Sequence, residues 1–306
     1  MATRLLLLAV LVCGGLSLST FTEFILQHAD KDSKDTLQVT GQTLKIIAMR
    51  HLQSASNLEL DQLKKTLGSK EAAREDLLKK TDSQSLVDAT LTPQGIEQAK
   101  EVGEGLSKKY PNIKYVFLSP MRRAVETSVQ LMKWYKGNNT PRFFLNPWLW
   151  EHPRAMSDIP LHSYEHLANY SFIDRSILAN NTKYWFIDYF FEDPSTSTKS
   201  LLLKATTSGT PLADIAELIK KFGGTLEKPS QLIHRVEAAL ELIRKFVKDQ
   251  AVNGVKVNDY EILLVGHGFY LDQMFGYQEI LPNDTYTSHY VDDFKNGVSK
   301  PFDLTL

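Results

Sequence analysis

Two short apolar runs, each stopping at a histidine, constrain the fold of this 306-residue chain more than any other feature. Leu44-Lys45-Ile46-Ile47-Ala48-Met49 leads into Arg50-His51 and then a polar stretch through Asn57. Ile262-Leu263-Leu264-Val265 leads into Gly266-His267-Gly268. Apolar β-formers in runs this short read as buried strands, and the polar loop that follows lies at the carboxyl end of its strand. Open α/β sheets bind their ligands there, and two such loops face one site if their strands are neighbours. An imidazole can act as a nucleophile, and the guanidinium beside it offers a planar fork to the oxygens of an anion.

The rest of the chain supports an alternation of strands and helices. Tyr115-Val116-Phe117-Leu118 reads as a further buried strand. Residues 58–90 are charged, with Leu60, Leu63, Leu67 and Ala72 at helical spacing. Thr92 and Pro93 fit the N-cap and first position of the next helix, with Ile96, Ala99, Val102 and Leu106 expected on its buried face. Ser119-Pro120 is expected to cap a helix through Met132, and residues 230–248 form an amphipathic helix with Leu232, Val236, Leu240, Ile243 and Val247 on one side. The expected fold is therefore α/β: a three-layer α/β/α sandwich with a largely parallel sheet. Residues 152–229 break the rhythm; they hold Pro153, Pro160, Pro194 and Pro211 and most of the aromatic pairs. They read as an inserted cap region packed over the site within one domain spanning 21–306, and residues 22–43 as a lead-in strand or loop.

Arg4 followed by Leu5–Val12 and then small residues has the pattern of a signal peptide over residues 1–20. The apolar run is short for a bilayer span, which needs about 20 residues, so a retained anchor is the weaker reading. Cys13, the single cysteine, lies inside that segment, which leaves the remainder without thiol chemistry or cysteine-ligated metal. Sequons at Asn138, Asn169, Asn180 and Asn283 suit a glycosylated secreted or secretory-pathway protein. A net charge of -1 with no basic run argues against a nucleic-acid partner, and removal of the signal leaves no expectation of a membrane partner.

Five fragments, in order, carry a resemblance. Arg50-His51 with Asn57 six positions after the histidine is the first. Leu91-Thr92-Pro93-Gln94-Gly95 with Gln98-Ala99 is the second, and Ser119-Pro120-Met121-Arg122-Arg123-Ala124-Val125-Glu126-Thr127 the third. Pro147-Trp148-Leu149-Trp150-Glu151 and Gly266-His267-Gly268 complete the set. Together they resemble the histidine phosphatase (phosphoglycerate mutase-like) superfamily. One departure is Leu52, where that family has glycine; it puts a Cβ at a position expected to lie close to the phosphoryl group.

The resemblance implies a phosphatase of phosphate monoesters that needs neither metal nor cofactor. His51 would be the nucleophile, forming a phosphohistidine, and His267 a second donor to the phosphoryl oxygens. Arg50 and Arg123 would clamp the anion, Arg123 rather than Arg122 because the family uses the arginine before the alanine of this turn. Asn57 would bind phosphate, with Gln53 as a further candidate, although either residue equally suits a helix start. Glu151 would be the general acid, with Asp158 and Glu165 as substitutes. A small phosphorylated molecule is the expected partner. Two other functions fit the same residues: a mutase that returns the phosphoryl group to its substrate, and an inactive binding protein on the same fold. His162-Ser163-Tyr164-Glu165-His166 also matches a short zinc-peptidase pattern, for which a solvated helix face is the simpler reading.

Overall fold

The structure is a computed structural model, and it describes residues 41–79, 86–177, 184–189, 198–208, 210–277 and 294–306. The proposed signal peptide, Cys13, most of the lead-in stretch, and Asn180 and Asn283 lie outside the described residues.

A mixed six-stranded sheet forms the centre, in the order β4-β3-β2-β5-β1-β6. Its strands are β1 (Thr43–Arg50), β2 (Ile113–Leu118), β3 (Arg142–Leu145), β4 (Ile173–Asp174), β5 (Glu261–Gly266) and β6 (Ser299–Thr305). β1 to β5 run parallel, and only β6 is antiparallel, paired along β1. Neither β3, β4 nor β6 is evident from sequence pattern. β6 carries Pro301, which is tolerated because an edge strand need not donate every N–H to a ladder.

Both faces of the sheet are covered, which is the expected three-layer arrangement. The alternation along β1 shows why. Leu44, Ile46 and Ala48 point to one face, and Ile47 and Met49 to the other. On the first face they meet Leu232, Val236, Ala239, Ile243 and Val247 of the long helix Pro229–Val252. On the second they meet residues of the helices Pro93–Lys109 and Arg122–Trp134. In chain order the described helices are α1 (Ala55–Leu67), α2 (Lys70–Lys79), α3 (Pro93–Lys109), α4 (Arg122–Trp134), α5 (Ser163–Leu167), α6 (Thr198–Thr206), α7 (Pro211–Lys221), α8 (Pro229–Val252) and α9 (Gly268–Met274). No helix among the described residues is long and apolar enough to cross a membrane.

Local details differ from the sequence expectations in three places. The helical stretch after His51 is broken at Gly68, whose φ of 78° ends α1 and starts the separate α2. Thr92 and Pro93 do begin α3, with the Thr92 hydroxyl accepting from the Gly95 amide, but the buried face is Gly95, Ala99, Gly103 and Leu106. Ile96, expected inside, is 45% exposed. The face turns because Gly95 lies against the loop after His51: a Cβ there would come within 2.2 Å of the Gln53 carbonyl oxygen. Ser119 does not cap α4; Met121 is the N-cap residue and has no side-chain bond.

The stretch 152–229 packs onto the sheet rather than away from it. Met156, Ile159, Leu161, Trp185, Phe186, Leu202 and Ile215 share one hydrophobic cluster with Ile47, Met49, Val116 and Val265. Trp185 donates its indole N–H to the Ser163 hydroxyl at 2.8 Å, so its polar atom is paired as well as its ring buried.

Candidate active site

The register of the sheet builds the centre of the site. β1 and β5 are neighbours with Arg50 opposite Gly266, so the residues that follow, His51 and His267, leave the sheet side by side. Their rings stand 5.1 Å apart, centroid to centroid. His51 is held by its amide to the Gly266 carbonyl, and its Nδ1 lies 2.7 Å from the Leu52 carbonyl oxygen. A carbonyl can only accept, so Nδ1 carries the proton and Nε2 keeps its lone pair in the neutral ring. The Arg123 Nε–H donates to that Nε2 at 3.2 Å.

Arg123 comes from the first turn of α4, one loop beyond β2, and is 2% exposed. Its NH1 donates to the Ser157 carbonyl at 2.7 Å, and NH2 lies 3.5 Å from Asp158 Oδ1. Thr127, one turn along, donates to the Arg123 carbonyl and accepts from the Leu52 amide at 2.9 Å, tying α4 to the loop after His51. Arg50 extends from the end of β1, donating to the Phe294 carbonyl at 2.8 Å. Gly268 passes beside it: a Cβ on Gly268 would lie 3.1 Å from the Arg50 guanidinium carbon, which accounts for a small residue after His267. His267 Nε2 is 2.8 Å from the Ser119 hydroxyl, and its Nδ1 has no hydrogen-bond partner among the described residues.

Both imidazoles are held neutral. Burial lowers the His51 pKa well below its ordinary value, helped by the charges of Arg123 and Arg50. His267 is lowered in the same way, by burial first and then by Arg123, His51 and Arg50. Both shifts favour the neutral ring, in which Nε2 of His51 keeps its lone pair.

Glu151 sits where the loop after β3 meets the start of α9. It is 8% exposed, and its Oε1 accepts from the His152 amide at 2.9 Å and the Tyr270 amide at 3.3 Å. Asp158 lies close enough for the Glu151 charge to act on it; burial and that like charge raise its pKa, against the pull of Arg123. Both oxygens of Asp158 are occupied, Oδ1 by Arg123 and Ser157 and Oδ2 by the amides of Arg154 and Ala155. Glu165, the third candidate carboxylate, is exposed on α5 and does not line the cleft.

One cleft joins these groups. Arg50, His51, Asn57, Arg123, Glu151 and Asp158 all line it. His267 is fully buried beneath, in ring contact with His51. Asn57 is also the third residue of α1 and closes a capping box, its amide donating to the Ser54 hydroxyl at 3.3 Å and its Oδ1 accepting from the Ser54 amide at 3.5 Å; Oδ1 also accepts from the Ser54 hydroxyl at 3.0 Å and from Asn296 at 3.3 Å. Gln53 does not reach the cleft: its Oε1 accepts from the Thr92 hydroxyl at 2.8 Å. Leu52 is wholly buried in the hydrophobic core and is absent from the cleft wall. Of the zinc-peptidase pattern, His166 Nε2 lies 3.5 Å from Glu126. Among the described residues no group of three or more potential ligands is placed to hold a metal ion.

Two supports were not legible in the sequence. Arg235, fully buried on α8, makes a two-fold ion pair with Glu227, both contacts at 2.7 Å. The same guanidinium donates to the carbonyls of Trp148, Trp150 and Glu151, so it fixes the loop that carries Glu151. Asp88 braces the other side. Its Oδ1 accepts from the Arg122 amide at 3.0 Å and its Oδ2 from the His162 amide at 3.2 Å. Burial pushes its carboxyl up to about 7.

Comparison with known proteins adds the following. The family model described as histidine phosphatase superfamily (branch 1) matches residues 73–136, which span the second and third of the five fragments. The resemblance to that superfamily is borne out there. No curated protein sequence matches this chain. Among solved structures, the ecdysone phosphate phosphatase from Bombix mori in complex with tungstate is 17% identical, with a TM-score of 0.38 over 76% of each chain. A mycobacterial glucosyl-3-phosphoglycerate phosphatase is 18% identical, with a TM-score of 0.37 over 77% of this chain and 79% of that one. A phosphoglycerate mutase from Bacillus anthracis str. Sterne is 14% identical, with a TM-score of 0.34 over 84% of this chain and 96% of that one.

Proposed function

We propose that this chain, similar over its second and third motifs to the histidine phosphatase superfamily, hydrolyses phosphate monoesters through a phosphohistidine at His51. The observation that carries this reading is the tautomer of His51. Its Nδ1–H is spent on the Leu52 carbonyl, which leaves Nε2 as the lone pair, beside Arg123 and the His267 ring.

A phosphate monoester displaces Arg123 from Nε2 by taking its N–H donors onto the phosphoryl oxygens. Arg50 and Arg123 then meet the negative charge, which is where phosphoryl transfer needs most help. Nε2 attacks phosphorus, the bond to the ester oxygen breaks, and Glu151 delivers a proton to that oxygen. The resulting imidazolium is stabilised by its Nδ1–H bond to Leu52. Water then attacks phosphorus, the P–N bond breaks, and Glu151 takes the proton that water loses. Glu151 suits this better than Asp158, because among the described residues the hydrogen-bond partners of Glu151 fall on Oε1 whereas both Asp158 oxygens are engaged in the site.

The test is turnover of an aryl phosphate in the presence of chelator, with acid quench and mapping of the labile phosphate. Inorganic phosphate release with label on His51 is expected. Label elsewhere overturns the nucleophile, and transfer to a second hydroxyl without net release identifies a mutase instead. The reading includes passage through the secretory route, supported by the amino-terminal pattern and by exposed sequon residues Asn138 and Asn169. Loss of mass on endoglycosidase treatment of the protein from culture medium is the expected result.

A further inference from the structure

A third strand end meets the two histidines. β2 lies against β5 with Leu118 opposite Val265. The next residue, Ser119, extends that pairing with its amide on the Val265 carbonyl at 3.0 Å, and it is wholly buried. Register thereby delivers its hydroxyl to the ring that follows β5: Oγ stands 2.8 Å from His267 Nε2. The same Oγ accepts from the Met121 amide at 3.3 Å. Nδ1 of His267 is buried and has no hydrogen-bond partner among the described residues.

A neutral imidazole carries one proton and one lone pair, and the two tautomers of His267 leave different groups unpaired. With the proton on Nε2, that N–H donates to Oγ. The Ser119 hydroxyl hydrogen then has no acceptor among the described residues, and the Nδ1 lone pair is buried without a donor. With the proton on Nδ1, the hydroxyl donates to Nε2, Oγ accepts from Met121, and only the Nδ1–H is left over. Each buried polar atom without a partner is costly, so the second tautomer is favoured. We propose that Ser119 is a positioning residue: its hydroxyl donates to Nε2 of His267 and keeps the ring proton on Nδ1, as the N–H that meets the phosphoryl oxygens. His51 and His267 are then set in complementary ways. The Leu52 carbonyl takes the His51 proton and leaves a lone pair for attack, whereas the Ser119 hydroxyl takes the His267 lone pair and leaves a proton for the anion. The rings stand 5.1 Å apart, so an acceptor arriving at His51 is the nearest new partner for that proton. The inference rests on the phosphatase reading of the same cleft and assigns one more residue to it.

The experiment reads the tautomer directly, by nitrogen NMR of the full chain labelled at histidine, with His267→Gln used to assign the His267 signals. The wild-type chain at neutral pH should carry its proton on Nδ1 and a lone pair on Nε2. Inorganic phosphate should shift the Nδ1–H signal as that bond forms. Ser119→Ala should lose the single form and populate both tautomers. Its kcat/KM on an aryl phosphate should fall by about 10–100-fold, the loss seen when a partner that fixes a ligand histidine is removed at metal sites. Ser119→Thr and Ser119→Val fill the buried position equally and differ in the hydroxyl. The first should keep the proton on Nδ1 and exceed the second in kcat/KM by tenfold or more. A proton on Nε2 in the wild-type chain, a signal unmoved by saturating phosphate, or equal tautomers and rates in the threonine and valine variants each overturn the proposal. Turnover with the proton on Nε2 leaves the phosphatase reading standing and removes the role of Ser119. A proton on Nδ1 that responds to phosphate, in a chain that hydrolyses no ester, supports the role of Ser119 and removes the phosphatase reading.

Discussion

The inner and outer ends of the cleft are built in different ways. At the inner end His51, His267, Arg50 and Arg123 hang from the ends of β1 and β5 or from the first turn after β2, and the histidines and Arg123 are almost wholly buried. Their spacing follows from strand register, so it is as rigid as the sheet. At the outer end Lys70, Arg74 and Arg154 hang from a short helix and an irregular loop and are only partly buried. Register cannot slip by one residue without turning every side chain to the other face. Helix and loop attachments can shift without such a penalty. The side chains at the strand ends are thus fixed by the sheet, and those of the rim by the helix and loop that surround it.

The most severe test of the contrast is His51→Ala, which should lower turnover by about 10⁴-fold or more, since clamps without a nucleophile leave only residual catalysis. Near-normal rates in a purified folded variant would show that the inner end is not the reacting end. Arg123→Gln comes next. It removes the donor facing Nε2 and should cost about 10²–10³-fold in kcat, the usual worth of a charge-stabilising donor. Glu151→Gln divides substrates by leaving group. Alkyl phosphates should slow by about 10²–10⁴-fold, and aryl phosphates far less, because an aryloxide leaves without a proton. Equal losses on both would mean that Glu151 maintains the loop, and Asp158→Asn would then be the variant to compare.

Glu227→Gln sharpens the comparison from the side of stability. It leaves the Arg235 charge buried with half its partner removed, and breaking a buried pair in this way costs about 3–5 kcal/mol. Because Arg235 also holds the carbonyls of Trp148, Trp150 and Glu151, the alkyl-to-aryl rate ratio should fall with it, whereas a variant on the outer rim should leave that ratio as it was. Urea titration alongside the two rates checks both halves.

The smallest expected effect concerns pH. His51, His152 and His267 are buried with pKa values lowered chiefly by desolvation, so the unfolded chain takes up protons before the folded one as pH falls. Stability should therefore decline as pH drops below about 6.5, the ordinary histidine value. Asp88 acts in the opposite sense. Its carboxyl is pushed up to about 7, so between its unfolded value and 7 the folded chain holds the extra proton, and its contribution is lost as pH rises through that window. Asp88→Asn removes the opposing slope. The fall in Tm between pH 7 and pH 5 should become steeper than in the wild-type chain; an unchanged or shallower fall would count against the assignment.

Much of the inner end was legible because it depends on local pattern. Apolar runs of strand length place loops at a sheet edge, and the Arg50-His51, Arg122-Arg123 and Gly266-His267-Gly268 fragments lie at or just beyond those runs. The Thr92-Pro93 start of α3 is likewise a matter of neighbouring residues. Asn57 shows where local pattern misleads: the same position serves a capping box, and a motif match alone does not say which bond its Oδ1 makes. Ile96 fails for a related reason. Helical periodicity gives a face but not its rotation, which here is set by the approach of Gly95 to the Gln53 carbonyl.

The sequence alone determined the sandwich, the two-face alternation of β1 and the residues that end its strands, because periods of two and of 3.6 residues are properties of short segments. Tertiary structure decided the rest. It chose β6 as the partner of β1, paired Arg235 with Glu227 beneath Glu151, set Asp88 between α4 and the loop at His162, and turned Leu52 into the core rather than toward the cleft. Each of these joins residues far apart in the chain, through desolvation and hydrogen bonds that exist only once the layers have packed.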